Sequence, residues 1–204
     1  MKKLSYLALL MILCLPLAAQ AQEEAPKVEI SGGYSYLRLN LGAIPASANV
    51  SSNLDHLNMH GFNVSFAGNI VRHVGIVSEF SQYTKSETVN ILGGPIPQGL
   101  DADFRVLTLL FGPRVTLHRG KVEPFVHALF GAARASAEAS VLGTSNETVG
   151  YAFAYSLGGG LDLKVHRNLA IRVAQLDYLG ARAGGDGINN FRYSAGVVLR
   201  LGNR

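Results

Sequence analysis

Between Leu57 and Ile70, Phe62, Val64, Phe66 and Ile70 share one parity, while Gly61, Asn63, Ser65, Ala67 and Asn69 share the other. Successive strand side chains point to opposite faces, so this spacing predicts a strand with an apolar side and a small, polar side. The same period recurs with Leu107, Leu109, Phe111, Pro113 and Val115 set against Val106, Thr108, Leu110, Gly112 and Arg114. It recurs again with Val126, Ala128, Phe130 and Ala132 against His127, Gly131 and Ala133. Further on, Phe153, Tyr155, Leu157, Leu161 and Leu163 face away from Ser156, Gly158, Gly160, Asp162 and Lys164. The cleanest run sets Phe191, Tyr193, Ala195, Val197, Leu199 and Leu201 against Arg192, Ser194, Gly196, Val198 and Arg200.

Eight strands are expected, at about 28–40, 57–70, 74–89, 103–117, 123–138, 150–165, 169–181 and 189–201. The seventh breaks the rule, because Gln175 and Asp177 share a parity with Ile171 and Val173 while Arg172 takes the other. Either Arg172 snorkels to a rim or a bulge shifts the parity. The connectors at 71–73, 118–121 and 166–168 are short, and those at about 41–56, 90–102, 139–149 and 182–188 are longer. The second long one, Leu92 to Gly99, carries glycines and prolines that interrupt pairing. Short turns on one rim and longer loops on the other, with an even strand number, predict an all-β, eight-stranded antiparallel up-and-down transmembrane β-barrel.

Composition supports that reading. Of 204 residues, 48% are hydrophobic and only 16% charged, with 23 glycines. Yet no run after residue 21 approaches the roughly 20 apolar residues of a membrane helix. The apolar content is therefore distributed by alternation, as a barrel with a lipid face requires. Lys2 and Lys3, the apolar stretch Leu4 to Leu17, and Ala19-Gln20-Ala21 form the three parts of a secretory signal peptide, expected over residues 1–21. The barrel domain is then 22–204. Bulky Leu13 before Cys14 argues against a lipoprotein signal, and cleavage would leave no cysteine and no disulfide. Loss of Lys2 and Lys3 lowers the net charge from +4 to +2. The remaining basic residues are scattered, which argues against a nucleic-acid partner.

On these residues the chain resembles the small eight-stranded outer-membrane barrels typified by outer membrane protein A and outer membrane protein X, over about 28–201. Phe111-Gly112-Pro113-Arg114 and Pro124-Phe125-Val126-His127 look like the fourth and fifth strands of the broad outer-membrane β-barrel family. The stretch from Ser194 to Leu201 is similar to the assembly signal of such barrels, carried by Ser194, Gly196, Leu199 and Leu201. The resemblance implies surrounding outer-membrane lipid, and a barrel-assembly insertase and periplasmic chaperones during biogenesis. It also implies periplasmic N- and C-termini, and an extracellular partner reached through the loops. Three features depart from the family. Gly202-Asn203-Arg204 follows Leu201 where a terminal aromatic is usual. With no Trp, the aromatic girdles fall to residues such as Tyr34, Phe62, Tyr151, Tyr178 and Tyr193. The peptidoglycan-binding domain of larger members is missing.

Glu79, Arg114, His127, Asp162 and Arg192 take inward parities and form a candidate lumen charge network. Arg114, His127 and Asp162 lie at similar depth, where opposite charges should pair because an unpaired buried charge is costly. A gate or proton path is one reading of such a set. A salt-bridged plug is the other, and an eight-stranded interior is only wide enough to be filled by side chains. A hydrolase would need a serine within reach of a histidine base. His73, His118 and His166 fall in short turns, His127 in the lumen, and only His56 and His60 approach the outer rim. The His-x-Ser pair of the lipid A deacylase barrels does not occur, so no enzyme activity is expected. The histidines lack metal-ligand spacing, and no metal or cofactor is expected. Gly158-Gly159-Gly160 lies within strand alternation rather than before a helix, and so reads as relief of crowding and not as a phosphate loop. Three functions stay open: a structural or adhesion-like surface barrel with a plugged lumen, a small-conductance pore or transporter, and a soluble periplasmic barrel for a lipophilic ligand. The last predicts the reverse facing, with apolar residues inward.

Overall fold

A two-faced strand leaves its hydrogen-bonding edges open until a neighbour covers each, and eight in succession cover the last pair of edges by closing on themselves. In the computed structural model, which describes residues 26–40, 56–91, 98–118, 120–141, 144–183 and 186–203, this closure is complete. The strands are β1 (Pro26–Asn40), β2 (His56–Asn69), β3 (Val74–Ile91), β4 (Gln98–Thr116), β5 (Val122–Val141), β6 (Thr144–His166), β7 (Leu169–Ala183) and β8 (Asp186–Asn203). Each is antiparallel to the next, and β1 pairs with β8 from Pro26↔Asn203 to Arg38↔Phe191. The signal peptide expected at 1–21 and most of the first long loop lie outside the described residues.

The expected loops at 90–102, 139–149 and 182–188 are shorter than the sequence reading has them. The β3–β4 ladder continues to Ile91↔Gln98, the β5–β6 ladder to Val141↔Thr144 and the β7–β8 ladder to Ala183↔Asp186. Long connectors therefore do not alternate with short ones along the whole chain: β5–β6 and β7–β8 are separated by two residues, as β6–β7 are. The reason is physical. A barrel strand needs only about 9–11 residues to cross a bilayer, while β6 has 23. Beyond the lipid the ladder hydrogen bonds suffice, and serine, threonine and asparagine can occupy both faces.

The outward face is apolar for most of the height. Phe66, Leu109, Phe111, Val126, Leu176 and Leu199 are all exposed on it. Aromatic residues gather toward the rim opposite the termini, where Tyr34 lies beside Phe62, Tyr36 beside Tyr193 and Tyr178 beside Phe191 across neighbouring strands. The inward face has two zones. Buried charges concentrate in the half nearer the termini, and an apolar cluster that includes Leu37, Met59, Tyr83 and Leu179 extends from beside them toward the far rim, with Leu110 opposite Glu79 and Leu37 opposite Arg192. The inside is therefore less uniformly polar than the alternation suggested.

The irregular parity of β7 comes from a bulge. Arg172 pairs with Asp162 and Gly196, whereas Ala174 pairs with Leu161 and Gln175 with Ser194. One residue, Val173, is thus extra on β7 relative to both neighbours. Arg172, Gln175 and Asp177 are all buried as a result, while Val173 is exposed. Of the two alternatives for Arg172, the parity shift is the one realised. The closing seam has its own requirement. A Cβ on Gly196 would stand 2.3 Å from the Gly32 carbonyl oxygen, and one on Gly33 would stand 2.1 Å from that of Ala195. Glycine at both positions lets β1 and β8 meet.

Candidate functional site

The lumen site is built from inward positions of every strand but β2, and its charges form three tiers. Nearest the termini, Glu29 of β1 lies between two arginines, paired with Arg114 of β4 and 3.5 Å from Arg200 Nε of β8. Arg200 also pairs with Glu123 of β5, which has His118 Nδ1 at 3.5 Å. All five residues are buried.

In the second tier, Arg172 grips Asp162 with two hydrogen bonds, from Nε at 2.8 Å and from Nη2 at 3.0 Å. Its Nη1 donates to Gln175 Oε1 at 2.9 Å and to Ser31 Oγ at 3.3 Å. The guanidinium carbon sits 4.4 Å from the ring centroid of Phe125, a cation–π distance. A fork-to-fork pair of this kind fixes orientation as well as charge.

The third tier centres on Arg192, which is 1% exposed. Its Nε donates to Asp177 Oδ2 at 2.7 Å, its Nη2 forms an ion pair with the same oxygen at 2.6 Å, its Nη1 pairs with Glu79, and the same Nη1 donates to Ser81 Oγ at 3.1 Å. His127 Nε2 lies 2.7 Å from Asp177 Oδ1 on the other side. Gln175 joins the second and third tiers, donating from Nε2 to Asp177 at 2.8 Å and to Glu79 at 3.2 Å. Gly158 makes room for this arrangement, since a Cβ there would fall 1.9 Å from Asp177 Oδ1.

Five buried carboxylates thus meet four buried guanidinium groups and two imidazoles. Near balance of charge inside a narrow, water-poor space is what makes the set tolerable, because each ion has a counter-ion within hydrogen-bond reach. The Ser35 hydroxyl shares hydrogen bonds with Tyr83 at 2.9 Å and Ser194 at 2.8 Å, which ties β1 to β3 and β8.

All five residues named from parity, Glu79, Arg114, His127, Asp162 and Arg192, lie in this interior. The structure brings Glu79 and Arg192 into direct contact. Arg114 and His127 stand opposite each other on β4 and β5, but among the described residues no ion pair joins Arg114, His127 or Asp162 to one another. Each meets a residue the sequence reading left out of the network: Glu29, Asp177 and Arg172 respectively. Glu123, Arg200, His118 and Gln175 were missed as well. Parity held a usable signal for three of these residues, since Glu29 shares a parity with Ser31 and Ser35, Glu123 with Phe125 and His127, and Arg200 with Arg192 and Ser194. Of the assembly-signal residues, Ser194 and Gly196 face inward along the seam, while Leu199 and Leu201 face outward and are exposed.

A closed barrel with an apolar belt outside and an ion-paired interior has the architecture of a transmembrane β-barrel protein. Residues 7–200 match the family model of the outer membrane protein beta-barrel domain, and the chain belongs to that family. It is an outer-membrane β-barrel. Among solved structures it is similar to Ail, the attachment invasion locus protein of Yersinia pestis, in complex with the heparin analogue sucrose octasulfate. That likeness has a TM-score of 0.58 at 21% identity, over 86% of this chain and 99% of Ail. It is similar also to Neisserial surface protein A, with a TM-score of 0.58 at 12% identity, over 88% of this chain and 100% of the other. At these identities the likeness concerns the fold. No curated protein matches in sequence.

Proposed function

We propose that this protein is a closed outer-membrane barrel whose role is structural or adhesion-like, exercised at the rim opposite the termini. The observation that carries this reading is the three-tiered ion-paired stack. It joins side chains from β1, β3, β4, β5, β6, β7 and β8 across the lumen and gives each charge a counter-ion from the barrel itself. Arg38, Arg105, Arg134 and Arg182 are exposed outward toward the far rim, at the edge of the aromatic belt. Asp103 and Glu138 are exposed on the same outward face, so the rim is mixed in sign, and the four arginines are the groups that an anionic partner would meet there. Ail's complex with a heparin analogue makes a sulfated polysaccharide the natural first probe. In this reading the leader at 1–21 is cleaved, the termini are periplasmic, and Ser194, Gly196, Leu199 and Leu201 guide insertion by the assembly machinery. No catalytic step is assigned: among the described residues no serine hydroxyl bonds a histidine, and His127 is engaged by Asp177.

Two measurements on the purified barrel test the proposal. Planar bilayers containing it should stay electrically silent, and cells displaying it should bind immobilised heparin in a salt-sensitive way. Reproducible single-channel steps would favour the pore reading, in which the tiers act as a gate. Silence without any surface binding would reduce the role to a structural one.

A further inference from the structure

Basic residues that lie singly along the chain are gathered by the barrel at the rim that holds the termini. The turns at 71–73, 118–121 and 166–168 each set an arginine beside a histidine, as Arg72-His73, His118-Arg119 and His166-Arg167. Main-chain hydrogen bonds tie these turns into one ring: Thr116 N donates to His73 O at 2.8 Å, Lys164 N to Lys121 O at 2.8 Å and Arg200 N to Asn168 O at 2.9 Å. Asn69 Nδ2 completes the circuit by donating to Pro26 O at 2.8 Å. Lys27, Lys121 and Arg167 are exposed on this ring, and Arg72 and Lys164 are half-buried. Among the described residues no carboxylate is exposed there. Glu29, Glu123 and Asp162, the next acids inward, are buried and paired with Arg114, Arg200 and Arg172. Arg119, and Glu23, Glu24 and Arg204 near the termini, lie outside the described residues. The far rim differs, since Asp103 and Glu138 are exposed there along with its arginines.

The apolar belt ends where the ring begins. Val28, Val122 and Val165 are exposed on the lipid-facing side and are the chain neighbours of Lys27, Lys121 and Lys164. A strand rises about 3.3 Å per residue, so the ring lies at the depth of the lipid headgroups. Lys27, Lys121 and Lys164 have the inward parity but stand at the ends of their strands, where a lysine stem can snorkel past the last backbone turn.

We propose that this ring is a docking surface for the phosphate headgroups of anionic phospholipid, of the phosphatidylglycerol kind, in the leaflet on the side of the termini. Cations of one sign at headgroup depth attract a phosphodiester, and they discriminate against a zwitterionic headgroup, whose own ammonium they repel. The short turns hold the charges within the headgroup layer, where lipid phosphate meets them before any soluble macromolecule. The site lies at the end opposite the surface role proposed above and stands or falls without it.

The test offers the purified full barrel, in an uncharged detergent, equal amounts of phosphatidylglycerol and phosphatidylcholine with the same acyl chains, and counts bound lipids by native mass spectrometry. Phosphatidylglycerol should be preferred, and the preference should fall as salt is added. A basic group beside an anionic surface is worth about fivefold in binding. Lys27→Gln, Lys121→Gln and Arg167→Gln together should therefore lower the preference by about tenfold or more, while Lys27→Arg, Lys121→Arg and Arg167→Lys together should keep it. The matched loss of charge at the far rim, Arg38→Gln, Arg105→Gln and Arg182→Gln, should leave most of it in place. Heat-modifiable migration reports folding, and Arg167→Gln alone, expected to lose about fivefold, serves should the triple variant not fold. Equal binding of the two lipids overturns the proposal. So does a preference that survives in the folded near-rim variant, or one that the far-rim variant loses to the same extent.

Discussion

Replacing Arg192 by methionine keeps the length of the side chain and removes its charge. The guanidinium makes a hydrogen bond and an ion pair to Asp177 Oδ2, pairs with Glu79, and bonds Ser81, all in an interior where it is 1% exposed. Without it, Asp177 keeps His127 and Gln175, while Glu79 keeps only the 3.2 Å contact with Gln175. Two carboxylates would then share a buried space with far less compensation. Breaking a buried pair by removing one partner costs about 3–5 kcal/mol, which is a factor of roughly 10² to 10³ or more in the folding constant. The loss should be read from urea unfolding in lipid vesicles, with the heat-modifiable gel band as the folded signal. The decisive comparison is the triple variant Arg192→Met, Glu79→Gln, Asp177→Asn. Neutral isosteres no longer require a cation, so the triple should recover most of what the single loses. A single variant that loses less than about 1 kcal/mol, or a triple no more stable than the single, would refute the claim that the tier is held by compensated charge rather than by packing.

Other outcomes follow from the same geometry. Gly196→Val should weaken closure of β1 on β8, because the added Cβ meets the Gly32 carbonyl at 2.3 Å, and the folded band should be lost at lower urea than in the parent. Gly158→Ala displaces the Asp177 carboxylate and should resemble the Arg192 single variant in unfolding, since a Cβ there lies 1.9 Å from Asp177 Oδ1. Deleting Val173 removes the extra residue of the bulge and should leave a folded, heat-modifiable barrel. Deleting Phe130 from the regular β5 should not, because the slip would exchange lipid-facing and lumen-facing side chains. Leu109→Lys on the exposed apolar belt should cost about 2–4 kcal/mol in vesicle refolding if it lies near the bilayer centre, and a loss near zero would move Leu109 to an interface.

Much of the fold was legible because a strand's facing is a local property. Phe62, Val64 and Phe66 reveal an outward side without reference to any other strand, and Asn63 and Ser65 the inward one. The ends of the strands were less legible for the same reason. Once β5 and β6 leave the lipid, Ser140, Ser145 and Asn146 can pair without any apolar period, and the stretch reads as loop. Partners inside the lumen were least legible. Asp162 and Arg172 are ten positions apart, but Glu29 and Arg114 are separated by 85, and which inward residues reach the same height depends on the register of every ladder between them.

The sequence by itself determined the class, since period-two alternation over eight segments with no long apolar run admits a lipid-facing barrel and excludes a helical span. It also determined which charges point inward along the regular strands. Only the tertiary structure decided how those charges pair, because stagger between strands sets their heights, and a single extra residue at Val173 turned both Arg172 and Asp177 into the lumen. Only the closed barrel, likewise, placed an apolar mouth above a charged interior. Alternation tells inside from outside, but the position of a side chain along the axis of the barrel is fixed by pairing between strands distant in the chain.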